Sequence, residues 1–492
     1  MAQDHFDRLT AVDASFLHQE GPVSHMHVGA VTIFEGPPPP FEEFLDSLRE
    51  RLHLVPRYRQ HLSLPPLESG RPLWVDDPSF NLEYHVRQTA LPSPGSEEQL
   101  RLLAGRIFSQ QLDRSRPLWE LWMVENIEAA GSGSRRFALI SKTHHALIDG
   151  ISGVDLAQVM FDLSPVPQPI PHPEAAWQPA PEPTALELVA AGALGAVRTG
   201  VATAGRAASL LTRPGRAAAS AREALEGLGE VAWAGLNPAP DMPLNVEIGP
   251  HRRLCWVRSE LRDFKAIKDV FGGTVNDVVL TVVSGALRGW LHRRGVRTEG
   301  LELRALVPVS IRTEDDRGTL GNRIAAMRGP LPVYIEDPVM RLHTVREAMG
   351  SLKESKQAVG AEVLAAVESF APPTILAQAS RLNFSTRLFN LIVTNVPGPQ
   401  FPLYVRGREL EDVFPVAFLP RNHALAVAIM SYNGKMNFGL LGDYDAMPDI
   451  DVVADGIELA LAEMLALARK EARARERSVA AAGQREPEPA AR

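Results

Sequence analysis

The chain has 492 residues, a formal charge of −8 at pH 7 and a pI near 6.0. That length exceeds what one hydrophobic core usually serves, so two lobes are expected, and the acidic balance argues against a nucleic-acid partner, which needs a concentrated basic surface. Cys255 is the one cysteine, so no intrachain disulfide is expected; Met1 to Asp7 lack a signal peptide's basic start, no apolar run is long enough to span a bilayer, and a cytosolic protein is expected.

In chain order, Val28 to Phe34 reads as a strand, and Phe41, Phe44, Leu45, Leu48 and Leu52 share one face of a helix that Pro56 stops. Ser96 and Gln99 have the spacing of a capping box ahead of a helix that buries Leu100, Leu103 and Ile107. Leu118 to Val124 and Phe137 to Thr143 read as core strands, and the second leads into His144-His145-Ala146-Leu147-Ile148-Asp149-Gly150. Beyond that Asp-Gly turn, Leu156, Val159, Met160 and Leu163 recur at helical spacing as a buried face.

Between Ser164 and Pro183, prolines recur too densely for helix or sheet and mark a stiff crossover between the lobes. From Leu186 to Ala224 the chain is Ala-rich, with Arg198, Arg206, Arg213 and Arg216 gathered opposite Val197, Val201, Ala208 and Leu211 on a helical wheel. Two readings stay open there: a helix in peripheral contact with a membrane or lipid droplet, or a solvated helix between the lobes. The second is favoured because Pro214-Gly215 breaks the segment and bulky anchors are few.

Arg253 to Val257 opens the second lobe as a strand, followed by a helix face from Phe264 through Ile267 to Val270. Thr274 reads as an N-cap with Asp277 at the third position, ahead of Val278, Thr281, Val282 and Gly285 along one side. Leu303 to Val309 and Leu391 to Val396 look like buried strands, and Asn433-Gly434 joins the β-rich runs Ala424 to Tyr432 and Met436 to Leu441 as a hairpin. The last helix is expected to end near Arg469, and the tail from Ala472 carries no hydrophobic face and is expected to be disordered. The domains are therefore drawn at 1–163, a crossover and Ala/Arg-rich linker at 164–245, a second lobe at 246–470 and a tail at 471–492.

Imidazole is the side chain whose ordinary pKa lies near neutrality, so a His fixed at a strand end can take a proton from a weak nucleophile such as a hydroxyl. If the strand stays extended through the motif, His144 and His145 point to opposite faces, one catalytic and one structural. Asp149 either orients the ring or pairs with an arginine to brace the loop. A metal site and a pair of satisfied core histidines are the competing readings. The metal reading is the weaker, since no Cys, Glu or third His lies within ligand spacing, and no metal is expected.

Further signatures run along nearly the whole chain: Asp13-Ala14-Ser15-Phe16-Leu17 with Met26-His27-Val28-Gly29, Arg116-Pro117-Leu118-Trp119-Glu120, Val275-Asn276-Asp277-Val278, Val307-Pro308-Val309-Ser310-Ile311-Arg312, and Thr394-Asn395-Val396-Pro397-Gly398-Pro399. With the double-His HHxxxDG motif, and in this order, they resemble the bacterial wax ester synthase/diacylglycerol acyltransferase family. The double-His motif alone is shared with carnitine and chloramphenicol acyltransferases, plant alcohol acyltransferases and peptide-synthetase condensation domains; the accompanying signatures narrow it.

The resemblance implies an α/β (α+β) fold of two chloramphenicol-acetyltransferase-like lobes, each a mixed β-sheet flanked by helices, with an active-site tunnel at their interface. It implies an acyl-CoA-dependent diacylglycerol O-acyltransferase or long-chain-alcohol O-fatty-acyltransferase, making triacylglycerol or wax esters, with acyl-CoA as co-substrate and no resident cofactor. In it His145 is the general base, His144 its support, Asp149 a structural aspartate paired with an arginine for which Arg312 is the candidate, and Gly150 the glycine of the tight turn. Asn276 is the first candidate for an oxyanion donor, with Ser310 and Thr394 behind it. Asn276-Asp277 serves equally as a helix cap, Asn395 belongs to a shaped turn lining the tunnel, and Pro117 and Trp119 are packing elements. His18, His25, His61, His85 and His423 are read as structural or surface residues, and His27 as a tunnel candidate. Two other functions compete: a condensation-type ester synthase fed by a carrier protein, and a non-catalytic lipid-binding protein.

Overall fold

The computed structural model describes residues 7–64, 71–129, 134–148, 160–170, 177–184, 187, 238–310, 324–354 and 384–483. The first half runs β1 (Asp7–Arg8), α1 (Ala11–Gln19), β2 (His27–Phe34), α2 (Phe41–Arg51), β3 (Gln60–Ser63), β4 (Leu73–Asp76), α3 (Leu82–His85), β5 (Val86–Ala90), α4 (Glu97–Phe108), β6 (Trp119–Ile127), β7 (Arg136–His144) and α5 (His145–Ile148). The second half runs β8 (Arg252–Glu260), α6 (Leu261–Phe271), α7 (Val275–Arg293), β9 (Leu303–Ser310), β10 (Ile324–Leu331), α8 (Pro338–Glu354), β11 (Leu391–Pro397), β12 (Tyr404–Val405), β13 (Arg408–Val416), β14 (Leu425–Tyr432), β15 (Lys435–Asp443) and α9 (Ile450–Gly483).

These strands form a small sheet, β1-β4-β3, and two six-stranded sheets, β12-β13-β2-β7-β6-β5 and β10-β9-β11-β14-β15-β8. Most neighbours are antiparallel, but β5 runs parallel to β6, and β11 runs parallel to β9 and β14. Both large sheets are therefore mixed, and the protein is an α/β fold with two sheet-rich lobes. Local chemistry accounts for several of these elements. The Ser96 hydroxyl accepts the Gln99 N–H while Gln99 reaches back to the N–H of Ser96, closing the capping box of α4. Asn433 and Gly434 both have positive φ, +44° and +81°, as a two-residue hairpin turn between β14 and β15 requires.

Position in the sequence does not decide position in space. β13 lies in the second half of the chain, yet it pairs antiparallel with β2 of the first sheet, Phe414 opposite Val31 and Val416 opposite Gly29. The span drawn as the second lobe thus lends two strands to the first, covering an edge of β2 that would otherwise present unpaired backbone groups. The two sheets come close at Gly439 of β15: a Cβ there would sit 1.8 Å from the Pro415 carbonyl oxygen of β13, so only glycine permits the contact. One apolar cluster runs through the junction, with Phe16, Val31 and Phe108 from the first half and Trp256, Phe414 and Phe418 from the second.

A charged cleft of about 560 Å³ marks the junction where β7 begins, at Arg136. Arg258 of β8 donates from Nε to Asp412 at 2.8 Å and from its terminal nitrogens to Glu97 at 2.9 and 2.6 Å. Lys435 reaches Asp412 at 2.9 Å, and Arg136 lies 3.4 Å from Glu97 and 3.3 Å from Glu411. Burial alone would raise the carboxyls of Glu97 and Asp412, but Arg258 holds both below their usual range.

Two expectations are corrected. The C-terminal segment is not an unstructured tail from residue 471, because α9 continues to Gly483. Ala, Glu and Arg favour helix even without a core face, and Arg475 pairs with Glu471 one turn back at 3.0 Å. Leu163 is not on a buried helix face: Met160 is helical but Phe161 is not, Asp162 exchanges backbone hydrogen bonds with Tyr404, and Leu163 projects beyond them, exposed, while Leu156 and Val159 lie outside the described residues. The Ala/Arg-rich stretch at 186–224 lies outside the described residues apart from Glu187. Among the described residues no single helix is long and apolar enough to cross a membrane.

Candidate active site

The double-His motif sits where β7 ends. Its two consecutive N–H groups go to opposite neighbours, His144 N–H to the Leu118 carbonyl at 3.0 Å and His145 N–H to the Met26 carbonyl at 2.9 Å. Side chains alternate with the backbone groups, so the two imidazoles leave on opposite faces. The strand stops there, because α5 begins at His145 itself rather than after the Asp-Gly turn.

His144 is wholly buried and works as a helix cap: its Nδ1 accepts the Ala146 N–H at 3.1 Å. That fixes the ring's proton on Nε2, which lies 3.7 Å from a Glu20 carboxylate oxygen. Glu20 in turn pairs with Arg114, which also donates to the Leu17 carbonyl. Burial, with Arg114 and His145 adding to it, pushes His144 down to about 3, so the ring is neutral across the physiological range.

His145 is half-buried on the other face. The Phe16 ring of α1 stacks on it with centroids 4.0 Å apart, and Phe418, just beyond β13, meets it edge-on at 5.4 Å. Phe384 closes on both phenylalanines at 6.2 and 5.7 Å, so rings from both halves of the chain wall the imidazole. Burial pushes His145 down to about 4, while the Asp13 carboxylate and the residue's own backbone carbonyl pull the other way. The contact to that carbonyl falls short of hydrogen-bond geometry: Nδ1 is sealed from solvent without a partner among the described residues. Nε2 is therefore the nitrogen left to meet a hydroxyl.

Trp119 begins β6, stacks on His85 at 4.7 Å and donates its indole N–H to the Tyr58 carbonyl at 2.9 Å. The Pro117-Leu118-Trp119 segment thus packs the floor beneath His144, which bonds Leu118. His27 faces His144 across the β2–β7 pair and its Nε2 accepts the Leu112 N–H, which puts it behind the motif and away from the rings around His145.

In the second lobe, Asp277 serves as a cap: its carboxylate accepts the Thr274 N–H at 2.7 Å and the Thr274 hydroxyl accepts the Asp277 N–H at 3.2 Å. Asn276, one residue earlier in α7, meets Asn395 of β11, whose side-chain N–H lies 3.4 Å from the Asn276 oxygen. The structure brings these two expected site residues together, whereas the hydrogen bonds and ring contacts of His145 run to Met26, Phe16 and Phe418. Thr394 is half-buried on β11, and the Ser310 backbone pairs with Ile324 at the end of β9. Asp149, Gly150, Arg312 and the Ser310 side chain lie outside the described residues. Among the described residues no three His, Cys, Asp or Glu side chains converge as metal ligands.

Asp13, Phe16, Glu20, Arg114 and Phe418 were not singled out from sequence as site residues. Asp13 and Phe16 stand in one of the ordered signatures, three residues apart, which puts both on one face of a helix. That spacing was the available signal.

Comparison with known proteins decides the relationship. The wax ester synthase/diacylglycerol acyltransferase catalytic-domain model matches residues 9–279, and the corresponding C-terminal domain model matches residues 320–465. The chain belongs to the wax ester synthase/diacylglycerol acyltransferase family. It is an acyltransferase of mixed α/β fold. A Mycobacterium tuberculosis relative named a probable diacylglycerol O-acyltransferase, tgs1, is 34% identical over 468 residues, 94% of this chain and 97% of the relative. The wax ester synthase/diacylglycerol acyltransferase from Marinobacter aquaeolei superposes with a TM-score of 0.64 at 28% identity, covering 94% of this chain and all of that one. The starter condensation domain of rhizomide synthetase, with a TM-score of 0.56 at 13% identity over 94% of this chain and 95% of that one, shares the fold.

Proposed function

We propose that the enzyme transfers a fatty acyl group from acyl-CoA to the hydroxyl of a diacylglycerol or a long-chain alcohol, with His145 as general base. The observation that carries the reading is the position of one imidazole, half-buried between a phenylalanine of each half of the chain, with Nδ1 sealed. Desolvation between the two rings keeps the imidazole neutral at pH 7, already in the basic form.

In the reaction, Nε2 takes the hydroxyl proton as the alcohol oxygen attacks the thioester carbonyl. The tetrahedral intermediate collapses, the C–S bond breaks, and the departing thiolate takes the proton back from His145, giving ester and free coenzyme A with the base regenerated. The aromatic walls disfavour water at the carbon under attack, which favours transfer over hydrolysis. The names of the mycobacterial relatives favour diacylglycerol as acceptor, and that of the Marinobacter enzyme adds the alcohol.

The test is to incubate purified protein with labelled palmitoyl-CoA and either dioleoylglycerol or hexadecanol, following ester by extraction and coenzyme A with a thiol reagent. Cys255 gives no background, because it is buried and its thiol is pushed up to about 12. Ester and thiol in equal amounts, dependent on acceptor, are expected. Thiol release without acceptor, or ester formed only from a carrier-protein donor, overturns the reading.

A further inference from the structure

A general base must hold its proton for the lifetime of the intermediate, and the surroundings of His145 oppose that charge. Phe16 covers one face of the ring, Phe418 meets its edge, and Nδ1 has no hydrogen-bond partner among the described residues. An imidazolium there needs a negative charge nearby.

Helix α1 carries one. Phe16, which touches the ring, lies three residues after Asp13, so the two share the helix face packed against the motif. Asp13 is 4% exposed. The Thr10 hydroxyl donates to its Oδ2 at 2.7 Å, and the Asp13 N–H donates to that hydroxyl at 3.1 Å. This reciprocal cap starts α1 and fixes where the carboxylate sits. Its field reaches the His145 ring and also the guanidinium groups of Arg57 and Arg71, and it favours the charged form of each.

We propose that Asp13 is a positioning residue for the reaction, an α1 carboxylate anchored one turn from the phenylalanine that clamps His145, which stabilises the imidazolium formed when Nε2 takes the acceptor's proton. The proposal rests on His145 being the base. It assigns α1 two functions from one face: Phe16 orients the ring and Asp13 supplies the counter-charge. Asp13 neither touches substrate nor accepts the proton itself.

The test compares Asp13→Asn and Asp13→Glu with wild type and His145→Ala, reading kcat, KM for palmitoyl-CoA, melting temperature and the pH dependence of kcat/KM. Asn keeps the shape and a capping acceptor without the charge; Glu keeps charge and cap. Asp13→Asn is expected to lower kcat by about 10- to 100-fold, the size of effect that one nearby opposite charge has on an ionisation. KM stays near wild type, melting temperature falls modestly because Arg57 and Arg71 lose the same counter-charge, and the acidic limb of the profile moves to lower pH. Asp13→Glu recovers most of the loss. The other charged groups around the pair, namely Glu20 and Arg114 behind His144 and Arg57 and Arg71 beyond Asp13, are the same in all variants. Unchanged kcat in Asp13→Asn overturns the proposal. So does a loss that Glu does not recover and that leaves the acidic limb in place, which is the behaviour of a cap alone. If His145→Ala stays active, the base assignment itself has failed; if His145→Ala is dead and Asp13→Asn is like wild type, only the present inference has.

Discussion

The Phe16 ring lies on the His145 imidazole with planes 28° apart, so the base is held by a helix from the start of the chain rather than by its own strand. Phe16→Ala removes that clamp and opens a cavity beside the ring. It is expected to destabilise by about 3–5 kcal/mol, the usual cost of truncating a buried phenylalanine. It is also expected to raise the ratio of thiol released to ester formed, because water reaches the thioester. Denaturant unfolding and the two-product assay check both effects, and Phe16→Leu should fall between.

His144 caps α5 and lies against Glu20. His144→Ala should cost about 1 kcal/mol for the lost cap, while the Glu20 carboxylate keeps Arg114 as its partner. Activity should fall because the helical turn that begins at His145 loses its anchor. His144→Asn retains a short acceptor and should recover part of the melting temperature.

Acid sensitivity follows from the buried histidines. His25, His27, His85 and His423 are pushed down by burial, His145 to about 4 and His144 to about 3. The unfolded chain takes protons near pH 6.5 that the folded one refuses, so the stability these groups confer is complete above that pH. It is lost as pH falls toward the folded values, at up to about 1.4 kcal/mol per pH unit for each histidine. Melting temperature should therefore drop steeply between pH 6.5 and 4, before most carboxylates titrate. A flat profile over that range contradicts the burial of these rings.

Arg258 joins Glu97 of α4 to Asp412 of β13 at the junction of the lobes. Arg258→Met leaves the buried Asp412 with Lys435 and the Asn437 side-chain amide. A loss of about 2 kcal/mol is expected, less than for a fully buried pair because the arginine is partly exposed. Urea unfolding at low and high salt should show the difference shrinking as salt rises, with kcat little changed.

What was legible in the sequence was local. Asn433-Gly434 specifies its hairpin because both positions need positive φ, and the Ser96–Gln99 box closes within one turn. The opposite orientation of His144 and His145 follows from strand alternation. The pairing of β13 with β2 was not legible, because Phe414 reads as an apolar residue suited to either sheet and its partner Val31 is far away in the chain. The same holds for the site: His145 is marked by its motif, but Phe16, Asp13 and Phe418 become its neighbours only through packing. The end of α9 was not legible because the segment after Ala472 has no hydrophobic face to mark it, whereas propensity and pairing carry the helix to Gly483.

The central claim is that the His145 imidazole removes the acceptor's proton. The most direct measurement is ester synthesis by purified His145→Ala from palmitoyl-CoA and dioleoylglycerol, alongside its melting temperature. A rate reduced by about 10²- to 10⁴-fold, the contribution of a positioned general base, in a protein that melts close to wild type is the expected result. Ester formation at the wild-type rate would contradict it.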